Sequence, residues 1–177
     1  MKISRLEKIL IHKPNATNNE IRKLLGYEIS GSRIRKMREK LGISQKDCFI
    51  FVYGSLLSGL HNHYLLNGIA TFVREDFINA QLFTSNWAWP FIKLSQDGKV
   101  RGEIYHIKEK NIYILDHLEG YHIEDDESLF LRKTIKANSG ITAFVYEGGN
   151  YLRNSICGEY LPSGDWQKEL NARHSRR

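Results

Sequence analysis

Residues 49–66 read FIFVYGSLLSGLHNHYLL. Phe49, Ile50, Phe51 and Val52 form an unbroken apolar run of the kind a buried strand shows. The run breaks at Tyr53, Gly54 and Ser55, and Gly59 and His61-Asn62-His63 follow closely. A strand that stops on Gly-Ser leaves backbone N–H groups without ladder partners. Such groups either close an ordinary turn or hold an anion. The HNH tripeptide reads as the start of the next helix, with Asn62 or His63 near a rim.

Downstream, the same texture recurs as short apolar runs: IATFV (69–73), AQLFT (80–84), PFIKL (90–94), VRGEIYHI (100–107), TIKA (134–137) and ITAFVYE (141–147). Turn signals separate them at Gly68, Gln96–Lys99 and Asn138–Gly140. One stretch, EKNIYILDHLEGY, has Ile112, Leu115 and Leu118 at helical spacing and Gly120 as a stop. The expectation is an α+β fold: a small mixed β-barrel, closed or half-closed, with flanking helices.

Upstream, the character changes. The chain has 177 residues and a formal net charge of +6. Residues 1–46 hold twelve Lys/Arg against four Asp/Glu, whereas residues 47–177 hold fourteen against sixteen. The basic excess therefore belongs to the N-terminal quarter, a pattern that suits a polyanion-binding segment or a solvated helical appendage. In that quarter Ile3, Leu6, Ile9 and Leu10 mark one amphipathic helix. Thr17 and Glu20 stand at capping-box spacing before a second helix that Gly26 ends. Ser30 or Ser32 can cap a third, carrying Ile34, Met37 and Leu41 and ending at Gly42.

The stretch TNNEIRKLLGYEISGSRIRKMREKLGI (17–43) resembles helix-turn-helix modules, although no β-wing follows it. By that resemblance the third helix would be the recognition helix, with Arg33, Arg35, Lys36 and Arg38 facing nucleic acid. A three-helix bundle used for packing or protein contact stays equally open.

Composition excludes several classes. No apolar run reaches the roughly 18 residues of a membrane helix, so no membrane partner is expected. The N-terminal MKISRLEKILIHKPN lacks the apolar core of a secretory signal. Two isolated cysteines, Cys48 and Cys157, build neither a disulfide framework nor a zinc site. The expected setting is cytoplasmic. The adjacent residues of HNH are not the dispersed triad of a nuclease. Ser55 has no G-x-S-x-G elbow, and GSLLSG lacks the G-K-[ST] ending of a phosphate loop. EDDE at 124–127 reads as a solvated acidic loop rather than a cation site, and no metal is expected.

Glu119 remains. An acid at a helix C-terminus opposes the helix dipole, a local misfit of the kind that functional residues show.

In order, VYGSLLSGLHNHYLL, VRGEIY, LDHLEGY, LFLRKTI, AFVY and SGDW resemble the γ-glutamylcyclotransferase-like superfamily over roughly residues 49–166. The nearer branch includes γ-glutamylamine cyclotransferase and plant avirulence-induced proteins. The resemblance implies an enzyme that closes a γ-glutamyl group onto itself, releasing 5-oxoproline and an amine, without cofactor or metal. It implies Glu119 as catalytic acid/base, with desolvation by Leu118 and Tyr121 raising its pKa. It also implies that Tyr53, Gly54, Ser55 and Leu56 bind substrate, with Tyr105 and Tyr146 as weaker candidates. One departure is Phe130, where the family commonly has tyrosine two residues before the arginine that matches Arg132.

The expected organisation is a helical module over 1–46, the barrel domain over 47–170 and a basic tail over 171–177. The alternative function is a non-catalytic regulator that senses a small ligand or binds nucleic acid through residues 1–46.

Overall fold

The computed structural model describes residues 4–12, 18–41, 47–85, 89–122, 128–155 and 158–175. They divide into two units, one of residues 1–47 with 108–111, the other of 48–107 with 112–177.

The first unit holds α1 (Arg5–His12), α2 (Asn18–Leu25) and α3 (Gly31–Lys40). Of the expected apolar residues, Leu6, Leu10 and Ile34 join Ile21, Leu25 and Ile29 in its core. Gly26, at φ 78°, turns the chain after α2, a conformation that favours glycine. The Ser30 hydroxyl accepts from the Arg33 N–H and caps α3, as its residue type predicts. Lys40 donates to Glu7 at 2.9 Å. That bond, with those from Ser4, lowers the Glu7 pKa to about 2. Thr17 and Gly42, the expected cap and stop, lie outside the described residues.

The second unit is built on a six-stranded mixed sheet curved into a half-barrel. Its strands are β1 (Asp47–Val52), β2 (Ala70–Thr84), β3 (Pro90–Lys108), β4 (Phe130–Lys136), β5 (Thr142–Gly148) and β6 (Glu159–Tyr160), in the order β4-β5-β1-β3-β2-β6. β1 runs parallel to β5, with Ile50 opposite Phe144. β2 and β3 form a long antiparallel pair, β4 and β5 another, and β6 adds to the β2 edge. Helices flank the sheet: α4 (Ile112–Leu118), α5 (Asn150–Ser155) and α6 (Trp166–His174).

The expected fold class is therefore observed, but two strand pairs merge. The runs 69–73 and 80–84 belong to one strand, because the polar stretch between them continues the same ladder. Likewise, the turn signal at Gln96–Lys99 does not end a strand. Pairing steps from Asn79↔Lys99 to Ala80↔Leu94, so the intervening residues leave the ladder as a bulge and β3 continues. HNH opens not an α-helix but a short 3₁₀ helix over His63–Leu66.

Gly102 allows the close central packing. A Cβ there would lie 2.3 Å from the Val52 carbonyl oxygen and 2.5 Å from the Phe51 ring, so only glycine lets β3 pass at this distance. Among the described residues no helix is long and apolar enough to cross a membrane.

Candidate active site

Where β1 ends, Phe51, Val52, Tyr53, Gly54, Ser55 and Leu56 form one wall of a cavity of about 340 Å³. Trp89 and Pro90 at the start of β3 face it, and Leu118, Glu119, Leu129, Phe130 and Tyr146 close it.

Glu119 reaches this cavity through the way α4 ends. The Tyr121 N–H donates to the Asp116 carbonyl at 2.9 Å and the Gly120 N–H to that of His117 at 3.3 Å. Gly120 has φ 59°. These are the two crossed bonds and the left-handed residue of a Schellman stop, which makes Glu119 the C-cap. Glycine at 120 thus fixes where Glu119 sits. Burial raises its pKa from 4.5 to about 8. The helix C-terminus acts in the same sense, because its carbonyls repel a carboxylate. Among the described residues no group donates a hydrogen bond to this carboxyl. It can therefore exchange a proton near neutral pH.

The loop after β1 is held from behind. Leu57 N–H donates to the Gly54 carbonyl at 3.0 Å, and Asn62 donates to the Ser55 carbonyl and, at 2.9 Å, to its hydroxyl. Ser58 donates to Glu103 from both its N–H and its hydroxyl, and the Tyr105 hydroxyl donates to the same carboxylate oxygen at 2.7 Å. Gly54 passes close beneath Pro90: a Cβ at 54 would meet the proline Cγ at 2.9 Å. Among the described residues, the N–H groups of Gly54, Ser55 and Leu56 donate to no other backbone or side-chain acceptor. A run of open N–H groups on a fixed turn is suited to an anion.

A second network braces α4. Arg132 donates to both Asp116 carboxylate oxygens, at 2.9 and 2.6 Å, and its guanidinium stacks over the rings of Tyr121 and Phe144 at 5.1 and 5.2 Å. The Tyr146 hydroxyl donates to Asp116 at 2.7 Å, and the Tyr53 hydroxyl donates to the Tyr146 carbonyl at 2.8 Å. Burial pushes the pKa of Asp116 upward against the pull of Tyr146 and Arg132. Burial, with nearby carboxylates, raises both tyrosines, so their hydroxyls stay protonated.

Of the residues expected to meet substrate, Tyr53, Gly54, Ser55, Leu56, Tyr146 and the expected acid/base Glu119 line one cavity. Tyr105 does not; it supports the loop from behind through Glu103. Phe130, the departure from the family pattern, lies in the wall itself. Trp89, Pro90 and Leu129 had no local signal, because the half-barrel brings them in from elsewhere in the chain. Asp116 had one, lying three residues before Glu119 and so one helical turn away. Of the cations expected on α3, Arg33, Arg35 and Lys36 are exposed, whereas Arg38 is buried and does not face solvent. EDDE and Cys157 lie outside the described residues.

A half-barrel whose cavity sets one carboxyl of raised pKa beside open backbone N–H groups fits an enzyme that moves protons on a small molecule. The chain belongs to the γ-glutamyl cyclotransferase, AIG2-like family, whose model matches residues 50–168. It is 29% identical over 132 residues to the γ-L-glutamyl-butirosin B γ-glutamyl cyclotransferase of Niallia circulans, covering 71% of this chain and 79% of that protein. It is 30% identical over 96 residues to the protein BH1612 of Halalkalibacterium halodurans, covering 52% of this chain and 83% of that one. Among solved structures it resembles PH0828 of Pyrococcus horikoshii, with 26% identity, TM-score 0.56, 72% of this chain covered and 97% of that one. The protein is thus a γ-glutamylcyclotransferase-like enzyme. The family match begins at Ile50 and does not include the basic helices, and it lends no support to a non-catalytic regulator.

Proposed function

We propose that this enzyme cyclises a γ-glutamyl amine or dipeptide, with Glu119 as the proton-transfer group. The observation that carries the reading is a lone carboxyl, raised to about 8 by burial, in the cavity that the Gly54–Leu56 backbone also lines.

The open N–H groups of Gly54, Ser55 and Leu56 hold the substrate α-carboxylate. The α-ammonium then lies toward Glu119, whose carboxylate takes one proton. The freed amine attacks the γ-carbonyl carbon and a C–N bond forms, closing a five-membered ring. Glu119, now protonated, delivers that proton to the amide nitrogen as the old C–N bond breaks. The ring nitrogen's surplus proton ends on the released amine or in solvent, and Glu119 returns to its carboxylate. Nucleophile and electrophile share one molecule, so holding them at reacting distance supplies much of the rate. The Tyr53 hydroxyl already donates to Tyr146, which fits Tyr53 for a wall rather than a donor to substrate. The name of the Niallia circulans relative, γ-L-glutamyl-butirosin B γ-glutamyl cyclotransferase, supports the same class of reaction here.

The test is 5-oxoproline release from a panel of γ-glutamyl compounds. Glu119→Gln should lower kcat by at least about 100-fold, the scale of a lost general acid/base. Equal turnover by that variant, or no product from any member of the panel, overturns the reading.

A further inference from the structure

Among its described lining residues the cavity has one turn suited to an anion, Gly54–Leu56, and no cation. Its described lining includes no Lys, Arg or His, and its ionisable groups, Glu119, Tyr53 and Tyr146, are all acids. Asn62 also lines the cavity and donates to the Ser55 hydroxyl, and the rest of the wall is apolar, from Phe51, Trp89, Pro90, Leu118, Leu129 and Phe130.

From this, and resting on the cyclotransferase reading above, we propose that the leaving group is a neutral aryl or aralkyl amine, and that Trp89, Leu129 and Phe130 select it. A γ-glutamyl dipeptide has two carboxylates. The Gly54–Leu56 turn can take one of them. The second would enter an apolar wall with no cation to meet it, beside a carboxyl that ionises during turnover. An unpaired charge in such a wall is strongly disfavoured. An aromatic amine instead buries its ring against the apolar side chains of Trp89, Leu129 and Phe130. Phenylalanine at 130 removes the hydroxyl that a tyrosine would place in this wall, so the Leu129–Phe130 side offers a polar leaving group no side-chain donor. A volume of about 340 Å³ suits a γ-glutamyl group plus one ring; it lies near the lower end of the ~300–1,000 Å³ range of small-molecule sites.

The test compares γ-glutamyl-phenethylamide with γ-glutamyl-phenylalanine, which differ only in the carboxylate on the leaving group. A third substrate is the monoamide of 1,4-diaminobutane, whose leaving group carries a cation. With the wild-type chain, kcat/KM for the phenethylamide should exceed that for the dipeptide by about 100-fold or more, the scale of a buried charge left unpaired, and should also exceed that for the monoamide, whose chain forfeits the ring contact. Leu129→Arg, which introduces a cation, should narrow the gap to the dipeptide by at least about tenfold. Turnover of the dipeptide within about threefold of the phenethylamide, or a faster cationic monoamide, overturns the selection while the cyclotransferase reading stands. 5-Oxoproline from none of the three overturns both.

Discussion

A carboxyl with a pKa of about 8 when folded and 4.5 in its ordinary state links the stability of the chain to pH. The folded state holds the Glu119 proton more tightly than the unfolded one. The stabilising contribution is therefore complete below about pH 4.5, falls as pH rises, and is lost above about 8. Glu119→Gln stays neutral throughout. Its melting temperature should match that of the wild type near pH 4.5 and exceed it increasingly up to about pH 8, by the equivalent of at most about 5 kcal/mol. A pH-independent difference would contradict this. The same titration governs activity, since only the carboxylate can take the substrate's proton. In the free enzyme kcat/KM should therefore rise with pH toward about 8. Asp116 is a positioning residue by comparison. Asp116→Asn leaves Arg132 stacked on two rings without its carboxylate. Both partners are about one-fifth exposed, at 19% and 20%, so the expected cost is about 2 kcal/mol rather than that of a fully buried pair. It should lower kcat more than it raises KM, because the end of α4 carries Glu119. Denaturant unfolding and steady-state kinetics on the variant check both parts.

At the scale of elements, the site depends on how closely β3 crosses β1. A methyl group on Gly102 would meet backbone, the Val52 carbonyl, and cannot be relieved by a side-chain rotation. Gly102→Ala should cost about 1–3 kcal/mol, the range for overpacking, read from the urea midpoint at constant slope. Because Val52 leads directly into Tyr53 and Gly54, the same change should also raise KM. How much of this could be read from the sequence follows from its physics. The break at YGSL and the glycine after Glu119 are local signals, since strand pairing stops and a helix stops where those residue types require it. The approach of Pro90 to Gly54 is not local, because it depends on which strands neighbour one another in the half-barrel. The turn signal at Gln96–Lys99 was genuine as a bulge but misleading as a strand end. Composition cannot tell a chain that leaves the ladder and returns from one that reverses. Tyr105 faced the loop rather than the cavity for a related reason. Alternation places it on a side of β3, but Glu103 and Ser58, which bind its hydroxyl, decide what lies there.

On the scale of the whole molecule, the cavity and every group assigned to it belong to the second unit, while the net positive charge belongs to the first. The family match, over residues 50–168, leaves out the three N-terminal helices, so catalysis should not depend on them. Ile34 tests the separation. It is fully buried among Leu6, Leu10, Ile21, Leu25 and Ile29, all on the helical side. Ile34→Ala removes three carbons from that core and should cost about 2–5 kcal/mol of its stability, the range for such truncations. Well below the resulting transition, kcat/KM for 5-oxoproline release should stay within about twofold of the wild type, because every described residue lining the cavity belongs to the other unit. Thermal unfolding followed by circular dichroism, with activity assayed at the same temperatures, separates the outcomes. If helical signal is lost while turnover persists, the chemistry resides in the half-barrel by itself. If the two fall together at the lower temperature, the helical unit is part of what keeps the site assembled.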